Sequence, residues 1–229
     1  APNGWVMEYY VGKDYSLGGI TLLCKFDGQR VTMASQIAGA DETVSSLYSV
    51  KSEQATMLSF DTYNYLVHYF GQPQGSMADD PNGTLGGDYE FVISDATADR
   101  IELKGKKYGN RIVMKAFSAD QTWKQYLTRI KKVEDDAFFY EYDLRMDGLY
   151  TGQMLRSNYT FIVTYYDEVG KVYQKTVPFM FTTDGMRFHE PVTIDGQTMQ
   201  NFVWKNEEIS FVCTDEGATG CLLYTSPSP

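Results

Sequence analysis

The chain has 229 residues, 43% of them hydrophobic and 15% aromatic: enough for one large or two ordinary domains, and too apolar for a disordered chain. Thirty acidic residues against 20 basic ones leave a formal charge of −10, and an acidic surface repels phosphate backbones, which argues against nucleic acid as a partner. No apolar run approaches the roughly 20 residues that a membrane-spanning helix needs.

The opening "GWVMEYYVG" reads as a strand, rich in aromatic and β-branched residues that suit a pleated, half-buried surface. "GGITLLCKFDGQRVTMAS" gives two more, broken at Asp27-Gly28, a hairpin signal for which a type I′ turn is expected. "SLYSVKSEQATMLSF" repeats the pattern around a polar turn at residues 51–54. In "DTYNYLVHYF" the period changes: Tyr63, Leu66, Val67 and Phe70 fall at helical spacing, with Asp61 as N-cap. Residues 71–87 are dense in Gly, Pro, Asp and Asn and read as a surface loop. Strands resume at "DYEFVIS", "RIELKG" and "RIVMKAF". A helix is then predicted over 118–132, opened by a Ser118/Gln121 capping box, with Trp123, Leu127 and Ile130 on one face and basic residues toward its C-terminal end. The second half reads as further strands: "AFFYEYDLRM", "YTFIVTYYD", "KVYQKTVPFMFTT", "MRFHEPVTI" and "FVWKNEEISFVC". Pro178 marks an edge or a bulge.

The fold class is therefore mainly β, antiparallel meander sheets with one long and one short helix. The first unit, 1–133, has about seven strands in meander order and is similar to a lipocalin-type up-and-down barrel. A second β unit covers 134–220. Asp27-Gly28-Gln29-Arg30 and Asp184-Gly185-Met186-Arg187 echo each other, and if they mark a duplication the second unit lacks its last strands. Residues 221–229, "CLLYTSPSP", match codon for codon a translated sequencing-library adapter, so they are expected to be non-native and the natural sequence to stop near Gly220. The chain opens at Ala1-Pro2 without Met, so a leader is expected to have been lost. Without Cys221 the cysteines are Cys24 and Cys213, each in an apolar run where Cys acts as a small hydrophobe. Whether they pair is open.

"LSFDTYNYLVHYFGQP", "GGDYEFVI" and "RIELKGKKYGNRIVM" together resemble a family of uncharacterised Bacteroidetes surface lipoproteins, catalogued as a domain of unknown function, over about residues 5–211. The resemblance implies a lipid-anchored protein of the outer membrane and cell surface, often encoded beside SusC/SusD-type nutrient importers. It carries over no catalytic residues.

The residues show no catalytic, cofactor or metal motif. His68 and His189 lack a helical metal partner, and no phosphate-binding glycine loop is present. Asp79, Asp80 and Asn82 supply oxygens that suit calcium but lack the loop spacing, so a solvated turn is expected. Glu141 and Asp143 alternate along one strand and so share a face, which is the geometry a glycan hydrolase would need; ordinary strand alternation is the plainer reading. Lys104, Lys106, Lys107 and Arg111 surround a turn; a solvated hairpin end that discourages edge pairing is the plainer reading, and contact to a partner or an anionic headgroup the sharper one. Tyrosines exceed what a core needs: cross-strand packing is the plainer reading of any one of them, while exposed ones, one of each adjacent strand pair, suit sugar stacking and protein contacts. Tyr9, Tyr65, Tyr108 and Tyr166 are the candidates for stacking on a glycan or peptide. The expected function is a non-enzymatic accessory lipoprotein that binds or assembles beside an importer. A carboxylate-pair hydrolase and a structural or adhesion module are the alternatives.

Overall fold

A computed structural model describes residues 1–52, 54–73, 83–167 and 169–224. The chain divides into two compact units, Ala1–Thr128 and a second beginning at Arg129. In the first, β1 (Trp5–Val11), β2 (Gly18–Asp27), β3 (Arg30–Ser35), β4 (Val44–Ser52), β5 (Thr56–Phe60), β6 (Glu90–Ala96), β7 (Arg100–Gly105) and β8 (Arg111–Ala116) pair in chain order. β8 returns to β1, so an eight-stranded antiparallel barrel closes. In the second, β9 (Glu141–Met146), β10 (Leu149–Ser157), β11 (Thr160–Tyr166), β12 (Val172–Phe181), β13 (Gly185–Ile194), β14 (Gln197–Lys205), β15 (Ser210–Cys213) and β16 (Cys221–Tyr224) do the same, with β16 pairing back on β9. The mainly β expectation holds, and in each unit the last strand pairs back on the first.

Register and alternation build each core. Met7 lies opposite Leu22 on one side and Met114 on the other, and Tyr9 lies opposite Ile20; all five are buried inside the first barrel. Leu58 pairs with Phe91 on the far wall. In the second barrel Tyr142, Leu144 and Met146 alternate inward along β9 between outward Glu141, Asp143 and Arg145. Leu222 of β16 is buried between its register partners Phe211 and Leu144. The stretch that matches adapter sequence thus supplies the eighth strand of this unit, while residues 225–229 lie outside the described residues.

β2 reads differently. Leu22, Leu23 and Cys24 are all buried, although neighbours on a strand point to opposite faces. Helix α2 (Trp123–Asp136) explains this: Leu127, Trp123 and Tyr126 pack with Phe117 over Leu23 and Ala34 on the outside of the barrel. Tyr9 and Tyr10 are likewise both buried, against the expectation of one exposed member. Tyr10 lies flat against Gly19, where a Cβ would come within 2.7 Å of its ring, and Tyr15 covers it edge-on at 5.9 Å.

Several local expectations shift. α2 starts five residues later than predicted and runs to Asp136. Its box is Thr122/Gln125, in which the Gln125 N–H donates to Thr122 Oγ1 at 3.2 Å and the Thr122 N–H donates to Gln125 Oε1 at 2.9 Å. The last turn therefore carries Glu134, Asp135 and Asp136 rather than the lysines, and the Lys132–Asp136 pair at 2.6 Å offsets part of that charge. The short helix α1 (Tyr65–His68) is capped by Asn64, whose side chain accepts from the Leu66 N–H; Asp61 lies too far upstream. The Asp27-Gly28 turn has positive φ at Gly28 alone, the type II′ pattern, whereas Asp147-Gly148 and Asp195-Gly196 have it at both positions, as type I′ requires. β10 falls in a stretch where the sequence predicts no strand. Pro178 sits where β12 leaves β13, whose pairing begins at Phe179, so its missing N–H falls at a local edge within the closed sheet. The D-G-x-R echo lies at β2–β3 in one unit but at β12–β13, the fourth and fifth strands, in the other. Gly28 takes the positive φ of a two-residue turn, whereas Gly185 has none and opens β13, so the echo marks neither equivalent positions nor the same turn.

Candidate functional site

The first barrel carries an open groove of about 570 Å³ where β5 ends and β6 begins. Its polar side follows from register: Ser59 lies opposite Glu90 on the strand face away from Leu58, Phe60 and Phe91. Lys51 of β4 and Asp61, just past β5, extend this row and face each other at 3.9 Å. Burial pulls the Asp61 carboxyl up, but the Ser59 hydroxyl and the Lys51 ammonium outweigh it and hold the group below its ordinary range. Glu90 takes the Lys106 ammonium at 2.9 Å.

The other side is aromatic. The His68 ring stacks on Tyr89 with centroids 4.7 Å apart and planes 22° off parallel, and Tyr63 leans on His68 at 5.6 Å. Tyr63 is 62% exposed, because it precedes the Asn64 cap and so lies outside α1. Gly71 fixes the ledge from behind: a Cβ there would come within 2.9 Å of the Tyr89 ring and 2.8 Å of the Gly87 carbonyl oxygen. Three rings beside hydroxyl, carboxylate and ammonium groups can hold a ring-shaped polar ligand by stacking plus hydrogen bonds.

The four tyrosines singled out from sequence lie elsewhere. Tyr9 is wholly buried and donates to the Asp88 carbonyl oxygen at 2.8 Å, so its ring belongs to the core and cannot meet a ligand. Tyr65 donates to Glu42, which pushes its own phenol up to about 12. Tyr108 shares a hydrogen bond with Thr84, and the Lys107 ammonium sits 4.7 Å above its ring. Tyr166 is exposed on the second barrel opposite Val172. Within the first barrel Tyr9 and Tyr108 both meet Asp88, whose carbonyl oxygen accepts from the Tyr9 hydroxyl and whose carboxylate accepts from the Tyr108 N–H. Tyr63 and Tyr89 form the ledge instead, and in the sequence only the Asn64 cap signals that Tyr63 leaves the helix.

The basic group is exposed at the β7–β8 end: Lys106 pairs with Glu90 and Arg111 with Glu102 at 3.2 Å. Beneath it Asp88 is buried and accepts from the Lys107 N–H at 2.7 Å and the Tyr108 N–H at 3.2 Å. Glu141 and Asp143 share the outer face of β9 as alternation requires, but Gln153 donates to Glu141 and Arg145 to Asp143 at 3.2 Å. Those contacts tie both acids to the sheet surface. Cys24 and Cys213 are free and buried, and burial pushes the Cys213 thiol up to about 11. Among the described residues no cluster of His, Cys, Asp and Glu has metal-binding geometry; Asp79, Asp80 and Asn82 lie outside them.

A family model covers residues 1–206, the whole first barrel and the second through β14. The chain belongs to the DUF4302 family, a domain of unknown function. No curated protein and no solved structure matches it. The DUF4302 match runs through the first barrel and into the second as far as β14, so β15 and β16 lie beyond it.

Proposed function

We propose that this DUF4302 chain is a non-enzymatic binding protein, carried on the bacterial cell surface by a lipid anchor and working beside a SusC/SusD-type importer in outer-membrane nutrient uptake. The observation behind the binding role is the Tyr63–His68–Tyr89 ledge set against Ser59, Glu90, Lys51 and Asp61. Exposed rings with hydrogen-bonding groups alongside favour a glycan over an apolar ligand, because the ring faces take the C–H faces of a sugar while its hydroxyls keep polar partners. The surface location and the importer rest on the resemblance of "LSFDTYNYLVHYFGQP", "GGDYEFVI" and "RIELKGKKYGNRIVM" to Bacteroidetes surface lipoproteins.

The test is electrophoresis through gels containing soluble polysaccharides, with Tyr63→Ala/Tyr89→Ala as the comparison, followed by capture from detergent-solubilised Bacteroidetes outer membranes. Retardation by at least one polysaccharide is expected, lost in the double variant, together with retention of SusC/SusD-type proteins. Equal migration of both forms in every gel would remove the groove from the reading. Capture that brings down no importer component would remove the importer.

A further inference from the structure

The second barrel holds a charge whose counterion, among the described residues, stands beyond hydrogen-bond reach. Arg156 points inward from β10, opposite Phe161, and its side chain is only 7% exposed. Phe138 and Phe181 lie 5.1 Å from the guanidinium carbon, with Tyr159 and Phe179 just beyond. Ring faces hold the cation in place, but a buried charge also needs a hydrogen-bonded counterion. Nε donates to the Asn158 carbonyl oxygen at 2.9 Å. The facing carboxylate, Glu134, lies 3.9 Å from Nη2, beyond hydrogen-bond reach, and takes the Tyr159 hydroxyl at 2.6 Å instead. Nη1 is buried without any acceptor among the described residues.

This guanidinium forms one wall of a pocket of about 230 Å³ at the barrel mouth. The α2–β9 segment forms the lip, where Phe138 is 58% and Tyr140 70% exposed, their rings edge to face at 5.8 Å. The β10–β11 turn, Asn158 and Tyr159, closes the other side. Phe138 packs over the guanidinium, yet more than half of its surface and 70% of that of Tyr140 stay open to solvent beside the arginine. We propose that the mouth of the second barrel binds a carboxylate carried on a sugar ring, the uronic-acid class, with Arg156 taking the carboxylate and Tyr140 and Phe138 the ring. A forked guanidinium matches a carboxylate better than a point charge would. The volume lies below the roughly 300–1,000 Å³ of drug-sized sites, which suits a single ring. Glu134 beside the fork opposes a doubly charged phosphate more than a singly charged carboxylate. The site is independent of the groove on the first barrel.

The test is calorimetric titration of the full chain with glucuronate, glucose, acetate and inorganic phosphate. Glucuronate is expected to bind at least about tenfold tighter than each of the others, since each lacks the ring, lacks the carboxylate or adds charge. Tyr140→Ala, on the exposed lip, should weaken glucuronate roughly three- to tenfold. Arg156→Lys should cost at least about tenfold. Glu134→Gln should narrow the preference over phosphate. If Arg156→Lys fails to fold, Phe138→Ala/Tyr140→Ala carries the same comparison without touching the core. Glucose binding as tightly as glucuronate, no glucuronate heat at millimolar concentration, or an unchanged affinity in the lip variants would each overturn the assignment.

Discussion

β2 and β9 belong to barrels of the same topology, yet their burial patterns differ. The first seven residues of β2 are buried without a break, whereas β9 alternates strictly between buried and half-buried. The difference lies outside the strands: α2 residues cover the outer face at Leu23, while Glu141, Asp143 and Arg145 meet solvent. Hydrophobic periodicity therefore reports how many faces of a strand are covered, not whether it is a strand. The outer face of β10–β12 shows the uncovered case further, with Leu155 opposite Ile162 and Tyr166 opposite Val172, all exposed.

The comparison can be broken most directly through the cores. Phe91→Ala in the first barrel and Phe161→Ala in the second should each cost about 3–5 kcal/mol. Differential scanning calorimetry should show each variant lowering its own transition alone; a joint shift would mean that the units melt as one. Next in size is the helix cap. Thr122→Ala should cost about 1 kcal/mol of first-unit stability while Ser118→Ala leaves it almost unchanged, and the reverse order in urea melts would restore the box read from sequence. The smallest effect has opposite signs in the two units. Burial raises the Asp88 carboxyl despite the Lys107 and Tyr108 N–H bonds, so its contribution is full below the unfolded value and is lost as pH rises through the folded one. For Asp215 burial also pulls upward, but hydrogen bonds from Asn201 and the Gln200 N–H outweigh it and the group is lowered. Its contribution is present above the unfolded value and lost as pH falls through the folded one. From about pH 3 to about pH 7, wild type should therefore lose stability relative to Asp88→Asn and gain it relative to Asp215→Asn. Equal pH slopes for wild type and variants would rule out both shifts.

Most strands were legible because aromatic and β-branched runs stop at Gly and Asp turns. β10 was not, since "LYTGQMLRS" has few β-branched residues, a glycine at the register shift and an arginine facing inward. That strand carries Arg156, so the pocket of the second barrel was invisible for the same reason. Alternation misjudged Tyr9 and Tyr10 because it cannot see Tyr15 closing over the outer face. The capping box was misplaced because Ser118/Gln121 and Thr122/Gln125 satisfy the same spacing, and burial of Leu127, Ile130 and Val133 selects the later one. The groove ledge was hidden by its distance in sequence: Tyr89 stacks on His68 with twenty residues between them in the chain.

The cover over β2 has a consequence for synthesis. During translation β1 to β3 leave the ribosome long before Leu127, so Val6, Leu23 and Ala34 wait with their outer side bare while roughly ninety more residues are added. Such a strand is a template for wrong pairing until its lid arrives. The β1–β3 stretch therefore depends on how quickly the chain as far as Leu127 is made.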